Sequence, residues 1–102
     1  MAPEPLTETE ITEKLGELPG WTVEEHRLIR NYGLPGHLAA VALLVHIAAI
    51  QEELGHHADL ALTYDRLGIA VTTHSAGGRL TALDFDLARR IEEIAPAHGA
   101  AA

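Results

Sequence analysis

Four side chains able to carry or steer protons stand near the middle of this chain: Glu52, the adjacent pair His56 and His57, and His74. Imidazole has an ordinary pKa of about 6.5, so both of its forms are populated near neutrality, and three rings with one carboxylate suit general acid-base chemistry. Residue types alone leave two readings open. The pair can be a proton-transfer centre with Glu52 orienting an imidazole, or two surface histidines beside a solvated helix-end carboxylate. Other chemistries find less support. Consecutive histidines rarely ligate one metal together, and the i,i+4 histidine spacing is missing, so no metal site is expected. Gly77-Gly78 lacks the Lys and Ser or Thr of a phosphate-cradling loop, and Ser75 beside His74 has no nucleophile-elbow motif around it. His26, His37 and His98 read as turn, helix-start and tail residues, and His46 as a packed or interface residue.

The elements that must position these groups follow from patterning. Thr7 with Glu10 forms a candidate capping box, after which Ile11, Leu15 and Leu18 recur at helical spacing until Pro19-Gly20. Trp21–Val23 and Leu28–Tyr32 are β-prone runs around Glu24-Glu25-His26-Arg27, which predicts a hairpin. A second helix enters at Pro35, runs through Ala39, Leu43, Ile47 and Ile50 to Leu54, and stops at Gly55. His56 and His57 therefore sit just past a helix C-terminus. Alternation through Leu60, Leu62 and Tyr64 and again through Leu67, Ile69 and Val71 predicts another hairpin turning near Asp65-Arg66, with His74 at its exit on the face of Ala70 and Thr72. Thr81 with Asp84 gives a second candidate capping box, so Asp84 is assigned a structural, capping role ahead of a last helix through Leu83, Leu87, Ile91 and Ile94. Residues 96–102 read as a flexible tail. The order α-β-β-α-β-β-α predicts an α+β fold: one domain over 1–102, a four-stranded antiparallel sheet with three helices packed on one face.

Composition narrows the partners. Against 7 Lys and Arg stand 15 Asp and Glu, a formal charge of -8, which disfavours direct nucleic-acid binding and attraction to anionic membranes. The absence of cysteine removes disulfides and thiolate chemistry, and the acidic N-terminus lacks the layout of a signal peptide, so a cytoplasmic location is expected. The apolar run Leu38–Ile50, broken only by His46, falls short of the roughly 20 residues of a membrane span. A helix apolar on nearly every face needs more cover than so short a chain offers, and self-association is the simplest source.

Glu52 followed by His56-His57, then Tyr64, Thr73-His74 and Asp84, resembles the signature of the pterin-4a-carbinolamine dehydratases. The similarity extends from Gly20-Trp21 through Arg30 and the long helix to Leu80-Thr81. It implies an α+β fold that forms homodimers or homotetramers, and a hydro-lyase that removes water from 4a-hydroxytetrahydropterin to give quinonoid dihydropterin in tetrahydrobiopterin recycling. No cofactor or metal is implied. On this resemblance His57 and His74 transfer protons, His56 polarises the 4a-hydroxyl or shares the acid role, and Glu52, His56, His57, Ala58, Thr73, His74, Ser75 and Ala76 contact the pterin substrate.

The chain departs from the family pattern at several places. Ala58 stands where proline usually follows the histidine pair, which removes a restraint on φ from the loop. Leu60 replaces a common tryptophan, and Leu34, His37, Val41 and Leu43 stand where aromatic residues are frequent. The loop after His74 is one residue longer, at Gly78-Arg79. These departures raise an alternative in which the same fold serves as a binding or assembly protein, of the transcription-factor-cofactor or Rubisco-assembly type.

Overall fold

The computed structural model describes residues 3–101. Among these residues three α-helices, α1 (Glu8–Leu15), α2 (His37–Leu54) and α3 (Ala82–Ile94), accompany four strands, β1 (Thr22–Glu24), β2 (Arg27–Gly33), β3 (Asp59–Thr63) and β4 (Arg66–Val71). All neighbouring strands are antiparallel, in the order β1-β2-β4-β3. The chain leaves β2, crosses through α2 to the far edge as β3, and returns as β4 into the gap beside β2. That return sets the core, because the register places Leu28, Arg30 and Tyr32 opposite Val71, Ile69 and Leu67 on one face. Leu28, Tyr32, Leu67, Ile69 and Val71 are buried there beneath Leu43, Ile47 and Ile50 of α2 and Phe85, Leu87, Ala88 and Ile91 of α3. Each large apolar side chain so buried contributes about 1.5–3 kcal/mol relative to exposure. The fold is the expected α+β arrangement.

Local chemistry explains the element ends. The Thr7–Glu10 box caps α1 with both reciprocal bonds in place, and Thr81–Asp84 does the same for α3. The left-handed Gly55 (φ 65°) ends α2. The first hairpin turn is tighter than the β-prone runs suggest, and the second falls one residue earlier than expected. Glu25 and His26 alone join β1 to β2, and Tyr64 and Asp65 join β3 to β4, with Glu25, His26 and Tyr64 all at positive φ. Two-residue turns that match strand twist demand this conformation even of residues with side chains.

One expectation needs correcting. Strand β4 stops at Val71, and His74 opens a 3-10 turn, His74–Ala76, so it does not continue the Ala70 and Thr72 face. In the segment read as a flexible tail, Ala95–His98 forms a 3-10 turn, His98 Nε2 lies 2.9 Å from His46 Nδ1, and the Ala101 N–H donates to the Gly33 carbonyl at 3.0 Å. Residue 102 lies outside the described residues.

Helix α2 is 18 residues long and apolar enough by length and composition to cross a bilayer. In this fold its Ala40, Leu43, Ile47 and Ile50 stripe is part of the core. The opposite face leaves Leu38 79% and Val45 60% exposed in the single chain.

Candidate functional site

The site is assembled where the end of α2, the exit of β4 and the start of α3 meet. The Gly55 and His56 N–H groups both donate to the Gln51 carbonyl, so the chain leaves α2 in a left-handed turn rather than straight on. That turn brings the His56 ring, only 11% exposed, to Asp84, with Nε2 2.7 Å from Oδ1. Asp84 is fully buried. Its other oxygen, Oδ2, accepts the Thr81 N–H at 2.8 Å and the Thr73 hydroxyl at 2.8 Å. The Thr73 and Thr81 hydroxyl oxygens lie 2.8 Å apart, and Thr81 Oγ1 also accepts the Leu83 N–H. Proton counting fixes the directions. Thr73 spends its one proton on Asp84, so Thr81 donates to Thr73.

The same accounting fixes the His56 tautomer. An ionised carboxylate only accepts, so the nitrogen facing it, Nε2, carries the proton. When the ring is neutral, Nδ1 then holds the lone pair, and it has no hydrogen-bond partner among the described residues. Asp84 is thus more than a cap: it joins the α3 start, the Thr73 strand exit and the His56 loop through one carboxylate. The capping spacing identified Asp84, but nothing in the spacing signalled the bond to His56.

The other predicted residues are placed less tightly. His57 Nε2 lies 3.1 Å from Glu52 Oε2, one helical turn back, and both side chains are mostly exposed. A pair so placed is held weakly. The His74 ring is exposed and makes no side-chain hydrogen bond among the described residues. Its backbone is firmly fixed, however. Ala76 and Gly78 N–H donate to the Thr73 carbonyl, Gly77 N–H to that of His74, and Thr73 N–H to that of Arg79. Gly77 and Gly78, at φ 71° and 74°, allow the chain to reverse over so short a span. Ser75 is exposed and Ala76 half-buried in this loop, and Ala58 is half-buried at the entry to β3. His56 and the Thr73–Ala76 loop are therefore brought together through Asp84, whereas the three imidazoles make no direct bond with one another. Among the described residues no three His, Asp or Glu side chains converge as a metal site.

Two groups escaped the sequence reading. Gln51 is buried on α2 and its Oε1 accepts the Ala58 N–H at 2.9 Å. The signal was present, since Gln51 continues the buried stripe one turn beyond Ile47. The second is Glu92 on α3, whose Oε1 accepts from Trp21 Nε1 at 2.7 Å, Tyr32 OH at 2.5 Å and Arg30 Nε at 3.2 Å. Arg30 also lies over the Tyr32 ring, 4.2 Å from its centre. Burial, then the Glu92 carboxylate, hold the Tyr32 phenol well above its ordinary range. This network binds α3 to the first hairpin and touches none of the histidines.

Comparison with known proteins agrees with this layout. The family profile described as pterin 4 alpha carbinolamine dehydratase matches residues 4–94. The chain belongs to this family. A relative from Streptomyces avermitilis, whose name assigns it provisionally as a pterin-4-alpha-carbinolamine dehydratase, is 54% identical over 100 residues, covering 98% of this chain and 99% of its own. One from Chloroflexus aurantiacus with the same provisional name is 44% identical over 89 residues, covering 87% and 95%. The crystal structure of a protein from Brucella melitensis, named a transcriptional coactivator/pterin dehydratase, superposes with a TM-score of 0.85 at 30% identity, covering 89% of this chain and 98% of that one. Among the positions where aromatic residues are frequent in such dehydratases, Leu34 and Leu43 lie in the core and Leu60 packs against it. His37 stacks on Tyr64 with ring centres 6.4 Å apart.

Proposed function

We propose that this protein dehydrates 4a-hydroxytetrahydropterin to quinonoid dihydropterin by histidine acid-base catalysis. The observation that carries the reading is the Asp84 bridge, which ties the His56 ring and its loop to the loop that presents His74. In the reaction a protonated imidazole gives its proton to the 4a-hydroxyl, the carbon–oxygen bond breaks with its electron pair, and water leaves. A neutral imidazole takes the proton from the adjacent ring nitrogen as the new carbon–nitrogen double bond forms, so the proton count closes over one turnover. His57 and His74, whose rings are open to solvent, serve as the proton carriers. His56 holds the 4a-hydroxyl through Nδ1 or shares the acid role, and backbone groups of His56–Ala58 and Thr73–Ala76 contact the pterin edge, with Glu52 steering His57. No metal or organic cofactor enters this scheme. The test is the decay of chemically generated 4a-hydroxytetrahydropterin. Micromolar protein should accelerate it, and His57→Ala or His74→Ala should each slow turnover about 100-fold, within the usual span for a lost proton-transfer group. No acceleration by the unmodified protein refutes the proposal.

A second reading rests on two observations: the Brucella neighbour is named a coactivator as well as a dehydratase, and α2 leaves Leu38 and Val45 uncovered. In that reading the chain acts on a partner protein. A homodimer or homotetramer covering α2 would account for the same exposed face, and sedimentation that finds only monomer at all concentrations would overturn it. A stoichiometric partner together with no pterin turnover would favour the binding role.

A further inference from the structure

We infer that Gln51 is a positioning residue for the histidine pair, acting by clamping both ends of the loop that carries it. The inference deepens the dehydratase reading and takes its role for His57 from there. Between the end of α2 and the start of β3 lie only Gly55, His56, His57 and Ala58. Gln51 holds this stretch twice. Its carbonyl accepts the Gly55 and His56 N–H groups, and its side-chain Oε1 accepts the Ala58 N–H at 2.9 Å. A backbone bond of the first kind survives most substitutions at 51; the second exists only with a side-chain acceptor of this reach. Gln51 is 5% exposed, so the clamp is shielded from competing water.

The two histidines depend on the clamp unequally. His56 has a second anchor, because its ring is tied to buried Asp84 at 2.7 Å. Among the described residues His57 has only the exposed carboxylate of Glu52 at 3.1 Å. The direction of the His57 ring is therefore set by its backbone, which is fixed on one side by His56 and on the other by Ala58. Removing the Gln51 acceptor releases the Ala58 side. Misplacing a catalytic group by about 1 Å costs up to 100-fold in rate, and the loss falls on kcat when the displaced group transfers protons rather than binds substrate.

Three measurements test this, two of which are independent of turnover. In the unmodified protein the Ala58 amide should exchange with solvent on the order of 100-fold more slowly than a free peptide, as a buried hydrogen-bonded amide does; exchange at the free-peptide rate overturns the clamp without any variant. In Gln51→Leu the ring resonances of His57 should shift and broaden while the Nε2–H of His56 keeps its place; unchanged His57 resonances overturn it. In the turnover assay Gln51→Leu should lower kcat about 10-fold with KM within about twofold. With Ala58→Pro as the parent, which has no N–H to orphan and restrains φ in its place, the effect of Gln51→Leu on kcat should shrink to within about threefold. Unmoved kcat in an active parent, or an equal loss from Gln51→Leu in the Ala58→Pro background, overturns the positioning role. An inactive parent refutes the dehydratase reading alone, since the exchange and resonance measurements still decide the clamp.

Discussion

Replacing Asp84 by Asn changes one atom and reverses one hydrogen bond. The side chain keeps its size in a fully buried position, so packing is nearly conserved. Its orientation is forced, because the Thr81 N–H and Thr73 hydroxyl both converge on Oδ2, and only the amide oxygen can take that place. The amide NH2 must then face His56 at the position where Oδ1 now lies 2.7 Å from Nε2. Two donors meet there. His56 escapes by moving its proton from Nε2 to Nδ1, which makes Nε2 an acceptor and turns the ring's outward nitrogen from lone pair to donor. Stability should fall by only about 1–2 kcal/mol, since three hydrogen bonds remain and each loses its charge assistance. Turnover should fall about 100-fold, equivalent to about 2.7 kcal/mol in the barrier, because the ring presents the wrong tautomer to the substrate.

The assay pairs single-turnover decay of 4a-hydroxytetrahydropterin with nitrogen-15 resonances of His56, which separate the two tautomers. A tautomer switch with a 100-fold loss in a folded protein is the expected result. A variant that folds, keeps Nε2–H on His56 and turns over within about threefold of the parent refutes the proton accounting and the place of Asp84 in the site.

Two further outcomes follow, one from the same network and one from that of Glu92. Thr81→Ala removes the acceptor of the Leu83 N–H and the donor to Thr73, and should cost about 1–2 kcal/mol, read as a fall in Tm of roughly 4–8 °C per kcal/mol for a domain of this size. Unchanged Tm would remove the capping box from the account of α3. Tyr32 is held protonated in the fold by burial and Glu92, so its folded pKa lies above its unfolded one near 10. Its contribution is full below pH 10 and is lost as the pH rises toward the folded value, so stability measured by urea unfolding should decline above pH 10 and decline less in Tyr32→Phe. Equal slopes in the two proteins would contradict that assignment.

How much of the fold was legible depended on whether the signal was local. Thr7 with Glu10 and Thr81 with Asp84 marked helix starts because a capping box is satisfied within four residues, and Gly55 marked a stop because left-handed φ suits glycine. The turns were placed a residue off because the sequence at Glu25-His26 and Tyr64-Asp65 lacks the glycine or asparagine that positive φ favours; strand pairing imposes that backbone over local preference. The segment read as a tail carries no periodicity of its own. The contacts of its His98 and Ala101 are with distant partners, His46 on α2 and the Gly33 carbonyl on β2.

The same distinction runs through the site. The types and spacing of His56, His57 and His74 identified candidate proton carriers, but whether they are held in place is decided by Asp84 and Gln51, whose bonds to the loop join residues 28 and 7 apart in sequence. Ala58 shows what spacing misses. Read alone, alanine in place of proline means one fewer restraint on the loop. In the fold the substitution also supplies an N–H, and buried Gln51 accepts it, so a torsional restraint inside one residue is replaced by a hydrogen bond between two. Such an exchange keeps the loop ordered only while both partners remain. Gln51→Leu should therefore harm this chain and be nearly silent once residue 58 is proline, and that coupling is where the physical difference between the two kinds of restraint becomes measurable.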